Sequence, residues 1–240
     1  MRIDQYLVKA DFFKTRNKAQ EAIEKGFVMV NGKVCSKASQ NVTELDNVTV
    51  TKEHKFVSNG GYKLEKAIND LSICVKDLIF ADIGASTGGF TDCLLQNGAK
   101  KVYAVDVGEN QLDELIANNP SVVVKDNCNA RFITKDDFAD KLDGIVVDCS
   151  FISLKLLLEP LKNLLTDGFI VALIKPQFEC GKNALNKGGI LKDDKTRDLV
   201  VKDIIDYALK LNCTFLGLTE APIKKDKNIE YLVYLKVVNE

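Results

Sequence analysis

The chain of 240 residues is 46% hydrophobic and carries a formal net charge of −1, which suits a globular protein with a sizeable core and shows none of the overall basicity that announces nucleic acid. No apolar run approaches the ~18 residues of a membrane helix, and charges interrupt every apolar run near the start. Neither a spanning segment nor a signal peptide is therefore expected, and the reading is cytoplasmic, with no membrane partner. Seven cysteines without a CxxC pair read as buried free thiols, and the single histidine, His54, has no cysteine nearby, so no metal site is expected.

The first sixty residues carry net +3 and the remainder −4. By itself that asymmetry is weak, since charge runs are usually solvated faces. "IDQYLVKA" has the spacing of a short amphipathic helix. "TRNKAQEAIEKG" predicts a second, with Thr15 as N-cap and Gly26 as its stop. "FVMVNGKVCS" predicts a hairpin about Asn31-Gly32, a type I′ turn signal, and "NVTVT" a further strand. On "RIDQYL", "TRNKAQEAIEKGFVMVNGKV" and "NVTV", this head resembles the S4-like RNA-binding domain, a small α+β unit. The resemblance implies that the second helix and the hairpin face structured RNA. Arg2, Lys14, Arg16 and Lys18 would then offer phosphate contacts, with Lys33 and Lys37 extending the patch. The S4-like domain is expected over 1–52, a linker over 53–60 and a second domain over 61–240.

"GYKLEKAINDL" predicts a helix, and strands follow at 79–83, 102–106, 121–124, 144–148, 169–174, 214–219 and 230–237. Helices fit between the first five strands, and a longer one at 194–211. The alternation predicts an α/β fold, a mostly parallel seven-stranded sheet with an antiparallel final pair. That is the arrangement of the Rossmann-like class I methyltransferases. "IFADIGASTGGFTD" reads as a strand, a tight turn and a helix start. No Gly-Lys-[Ser/Thr] follows, which excludes a Walker A loop, and the glycine spacing is a poor dinucleotide fingerprint. An acid two residues before the first glycine suits S-adenosyl-L-methionine, which has no pyrophosphate to cradle. Candidate cofactor contacts are Asp82, Gly84 and the run Ser86, Thr87, Gly88, Gly89 and Phe90. Acids in register at later strand ends complete the set: Asp106 for the ribose diol, Asp126 for the adenine amine, and Asp148.

The fourth of these strands leads into "DCSFISL" rather than an Asn/Asp-Pro-Pro-aromatic motif, and Cys149 has no Pro-Cys context, so it reads as packing. Lys175, ending an apolar strand in "VALIKPQFE", is either a snorkelling edge lysine or a functional one whose charge burial disfavours. Lys63, Asp148, Lys175 and Glu230 resemble the Lys-Asp-Lys-Glu tetrad of FtsJ-like ribose 2′-O-methyltransferases. With the head, and with "VSNGGYKL", "DIGASTGGFTDCLLQNGAKKVYAVDVG", "NAR", "LIKPQFE" and "KGGI", the whole chain resembles the TlyA family, whose members carry the names hemolysin A and rRNA methyltransferase. The resemblance implies 2′-O-methylation of cytidine in ribosomal RNA within an assembled subunit, 23S rather than 16S. A monomer is the favoured state. Two departures stand out: Lys227-Asn228 where Gly-Asn is frequent, and no aromatic in "VGENQL" after Asp106.

Overall fold

The structure is a computed structural model that describes every residue except Lys25, Glu44, residues 51–54, residues 223–226 and Glu240. It divides into two compact units, Met1–Lys55 and Phe56–Glu240. His54 and the start of the expected linker lie outside the described residues.

In the first unit, α1 (Ile3–Lys9) and α2 (Arg16–Glu24) pack on a sheet of β1 (Val28–Val30), β2 (Lys33–Val34) and β3 (Val48–Val50), ordered β2-β1-β3. Thr15 caps α2 by accepting the Lys18 N–H at 3.3 Å. The helix stops at Gly26, whose φ of +74° lets its N–H reach Ile23 O and the next N–H reach Ala22 O. Asn31 and Gly32 both take positive φ, as the expected type I′ hairpin requires. Ile3, Leu7, Ala19, Ile23, Val28 and Val30 form the core.

The second unit begins with α3 (Asn59–Asp70), followed by β4 (Ile79–Ile83), α4 (Gly89–Gln96), β5 (Lys101–Val105), α5 (Glu114–Ala117), β6 (Val122–Lys125) and β7 (Gly144–Val147). Then come α6 (Lys155–Leu164), β8 (Asp167–Ile174), α7 (Pro176–Glu179), α8 (Asp194–Lys210), β9 (Thr214–Glu220) and β10 (Tyr231–Val238). The strands make one sheet in the order β6-β5-β4-β7-β8-β10-β9, parallel except for β10, which runs antiparallel to both neighbours. β7 and β8 are near-continuous apolar runs because both faces are covered. Leu157, Leu158 and Leu161 of α6 with Ile204 of α8 fill one face. Leu64 and Ala67 of α3 with Cys93 and Leu94 of α4 fill the other. Strand order reverses between β4 and β7, so a crevice opens beyond their carboxyl ends.

One expected helix is missing. Between β6 and β7 there is no α-helix, only a single 3₁₀ turn at Lys135–Asp137, closed by a Thr134–Asp137 capping box. Asp126, Asn127 and Asn129 open this segment, and such side chains compete with helix for the backbone. The Asn129 side chain accepts the Arg131 N–H, and Asn127 takes φ +56°. Its buried apolar residues, Ile133, Phe138 and Leu142, also lack a continuous helical stripe. Among the described residues, no helix is long and apolar enough to cross a membrane.

Candidate active site

The turn after β4 sits at the reversal point of the sheet. Gly84 holds φ +82°, and a Cβ there would lie 3.0 Å from Cys149 Sγ and 3.1 Å from the Asp148 carbonyl oxygen. Only glycine lets this turn lie against the end of β7. Gly84 and Ala85 donate their N–H groups to Val105 O, and Ser86 N–H donates to Asp106 Oδ2 at 2.8 Å. Asp106 Oδ1 accepts the Gly108 N–H, also at 2.8 Å. Asp106 therefore ties the glycine turn to the loop after β5.

Two cavities share this turn. One, of about 590 Å³, has Asp106 and Gln111 at one side, Asn129–Arg131 at another, and Ile83, Val105, Ile152 and Leu157 as apolar wall. The other, of about 190 Å³, lies between the Gly84–Thr87 turn, Gly89, Phe90 and the side chains of Lys63, Asp148 and Lys175. Gly84, Ser86, Asp148 and Ser150 line both.

Asp82 lines neither. It is fully buried; Thr91 Oγ1 donates to its Oδ2 at 2.6 Å, and Oδ1 has no partner among the described residues. Burial pushes its carboxyl up to about 7, and the nearby charges of Asp148 and Asp106 add to the rise. Gly88 sets the entry to α4 with φ +90°. Asp126 is not in the lining either; its Oδ2 accepts the Asn110 N–H at 2.9 Å. Cys149 is held as a thiol: burial pushes it up to about 12, and it packs against the turn at Gly84.

The four tetrad positions come together as two ion pairs. Lys175, 8% exposed at the end of β8, has its Nζ 2.6 Å from Asp148 Oδ1 and donates to Ser150 Oγ at 2.7 Å. Lys63, on α3, donates to Glu230 Oε2 at 2.7 Å. Lys63 borders the small cavity and, on its other side, a groove of about 730 Å³ that also takes in Tyr62, Lys66, Gln177, Asn228 and Glu230. Several side chains here escaped the sequence reading. Gln177 Nε2 donates to Glu230 Oε1 at 2.9 Å. Ser150 stands only two residues beyond Asp148, a weak signal. Asn228, the retained half of the Lys227-Asn228 pair noted in the sequence, accepts the Leu191 N–H and donates to Gly189 O, contacts no pattern announced, and so ties the "KGGI" loop to the approach to Glu230.

In the first unit, Lys14, Arg16, Lys18 and Arg2 are exposed, as are Lys33 and Lys37. The two arginines are not loose. Arg2 bonds Asp4 through Nε and Nη2 at 3.1 Å, Arg16 Nη2 donates to Asp4 Oδ2 at 2.8 Å, and Gln20 joins them. Asp4 is fully buried, and Arg2 first, with Arg16 and Gln20, holds its carboxyl well below the usual range.

A seven-stranded sheet of this order, with a glycine turn at its reversal point and strand-end acids around a cavity, is the arrangement of the Rossmann-like methyltransferases. Residues 56–237 match the FtsJ-like methyltransferase family and residues 1–48 match the S4 domain. The chain belongs to the FtsJ-like methyltransferase family and carries an S4 domain ahead of it. Among its relatives, hemolysin A of Brachyspira hyodysenteriae is 44% identical, over 98% of this chain and 99% of its own. The 16S/23S rRNA (cytidine-2′-O)-methyltransferase TlyA of Mycobacterium tuberculosis is 36% identical, over 98% and 89%. The 23S rRNA (cytidine-2′-O)-methyltransferase TlyA of Campylobacter jejuni is 35% identical, over 98% of each chain.

Proposed function

We propose that this chain transfers a methyl group from S-adenosyl-L-methionine to the ribose 2′-hydroxyl of a cytidine in ribosomal RNA. The observation that carries the reading is that Lys175, Asp148 and Lys63 line one small chamber beside the glycine turn, with Glu230 pairing Lys63 from the adjoining open groove. Both TlyA relatives bear the name of this activity. The S4 domain at residues 1–48 suits capture of RNA, with Arg2, Lys14, Arg16 and Lys18 as its phosphate contacts. The division of labour would follow the chain, RNA capture in Met1–Lys55 and chemistry in Phe56–Glu240; the linker expected over 53–60 does not extend to its full length, because Phe56 is buried in the second unit's core and α3 starts at Asn59.

The residues present fit the cofactor. Gly84 lines both cavities, where a side chain would press on Asp148 and Cys149, and the larger cavity pairs an acid with apolar walls, as a nucleoside needs. Asp106 would accept from the ribose diol through lone pairs its backbone partners leave free. The turn from Gly84 to Phe90 would hold the amino-acid end, and Asp82 would brace that turn from within. When bound, the cofactor supplies a methyl group already activated on a sulfonium.

Lys175 first releases a proton to solvent; as the neutral amine it then takes the 2′-hydroxyl proton as the oxygen attacks the methyl carbon, whose bond to sulfur breaks. The ammonium so formed stays between Asp148 and Ser150, the contacts it already makes. Lys63, aimed by Glu230, places positive charge where negative charge develops on the oxygen. The narrow chamber holds the reacting groups together.

Both TlyA relatives carry 23S RNA in their names and one of them 16S as well, so the large-subunit target is the one we propose. We place the protein in the cytoplasm, acting as a monomer on RNA within an assembled subunit. The test is to incubate it with S-adenosyl-L-methionine and unmodified ribosomal subunits, then digest the RNA for mass spectrometry. One new 2′-O-methylcytidine in 23S RNA is expected; a methyl group on a base, or none, contradicts the proposal.

A further inference from the structure

α7 has four residues, yet it reaches both halves of the site. It follows Lys175 directly, and Pro176 at its start restricts the backbone there. Gln177 points one way: its Nε2 donates to Glu230 Oε1 at 2.9 Å, leaving Oε2 to accept from Lys63 at 2.7 Å. A carboxylate is acceptor-only, so the amide nitrogen is the end that must face it. Without that donor, Glu230 is free to turn about its last bond, and Lys63 turns with it.

Glu179 points the other way. Its Oε2 accepts from Ser153 Oγ at 2.6 Å and its Oε1 accepts the Leu154 N–H at 2.7 Å. Between them, the Phe178 ring lies 4.9 Å from that of Phe151, a residue held at φ +63°. The segment pinned in this way runs from Asp148 to Leu154. It carries Asp148 and Ser150, the two partners of Lys175.

We propose that α7 is the positioning element of the site: Gln177 aims Glu230 at Lys63, and Glu179 fixes the loop that presents Asp148 and Ser150 to Lys175. Both are positioning residues, since each acts through another side chain. The inference rests on the 2′-O-methyl transfer proposed above.

The experiment compares variants in single-turnover methylation of ribosomal RNA. Gln177→Met keeps the length of the side chain and removes its donor. We expect its rate of transfer to fall roughly ten-fold or more, the size of a lost hydrogen bond to a charged group. RNA KM and cofactor affinity stay within about two-fold, and the loss disappears in a Glu230→Gln background, where no carboxylate remains to be aimed. Glu179→Ala lowers the rate likewise. Glu179→Gln restores it, because the amide oxygen still accepts the Leu154 N–H and the nitrogen donates to Ser153 Oγ. An unchanged rate in Gln177→Met, or a loss that adds in full to that of Glu230→Gln, overturns the first arm. Glu179→Gln as slow as Glu179→Ala overturns the second. Wild-type protein that leaves cytidine ribose unmethylated removes the reaction itself; an active wild type with indifferent variants removes only this inference.

Discussion

Lys175 and Asp82 are buried at the same edge of the sheet, but only one has an opposite charge beside it. Lys175 has Asp148 at 2.6 Å. Asp82 has the Thr91 hydroxyl on one oxygen and, among the described residues, no hydrogen-bond partner on the other, and burial pushes its carboxyl up to about 7. An acid raised in the folded state binds more protons there than in the unfolded chain. Its contribution is therefore full below about pH 4 and is lost as pH rises toward 7. Asp82→Asn removes this titration. Between pH 5 and pH 8, wild type should lose on the order of 2 kcal/mol more stability than Asp82→Asn, measured by denaturant unfolding; parallel curves would show that Asp82 is not the group responsible. The residue types at strand ends were readable in sequence, because Asp106, Asp148 and Lys175 each end an apolar run. Their partners were not. Gln177 meets Glu230 from 53 positions away, and Arg16 meets Asp4 from 12. No local pattern carries such pairs.

At the scale of elements, the glycine turn was legible because it breaks an apolar strand with an acid and three glycines. The helix expected between β6 and β7 was not there to be found. Its Asp and Asn residues satisfy backbone groups that a helix would need, and its apolar side chains reach the core from an irregular path. α7 was invisible as an element, since four residues leave no periodicity. The turn after β4 depends on Asp106, which holds Ser86 N–H and Gly108 N–H together. Asp106→Ala removes those bonds and the acceptor assigned to the cofactor ribose, each bond being worth roughly 1.5–3 kcal/mol. Calorimetry should find S-adenosyl-L-methionine binding weakened by about ten-fold or more, together with a lower melting temperature. Lower stability with unchanged affinity would leave Asp106 as a structural tie and the ribose elsewhere.

Across the whole molecule, charge is divided: net +3 over the first sixty residues and −4 over the rest. The second unit should therefore be a poor RNA binder unaided, and capture should depend on the S4 domain. Arg16 is exposed but oriented by Asp4, and Lys18 lies exposed two residues on. Arg16→Ala with Lys18→Ala should weaken RNA binding, leave cofactor affinity alone and reduce the slope of log affinity against log salt by about 1.5–2. Lines of equal slope would put those side chains in solvent and recognition on the face around Lys63. Methyl transfer to the ribose hydroxyl depends most directly on Lys175. Cofactor affinity and methyl transfer to ribosomal RNA would be measured on one preparation of Lys175→Ala. The expected result is a rate lowered by about a hundred-fold or more with affinity for S-adenosyl-L-methionine within about two-fold of wild type; near-normal turnover would contradict it.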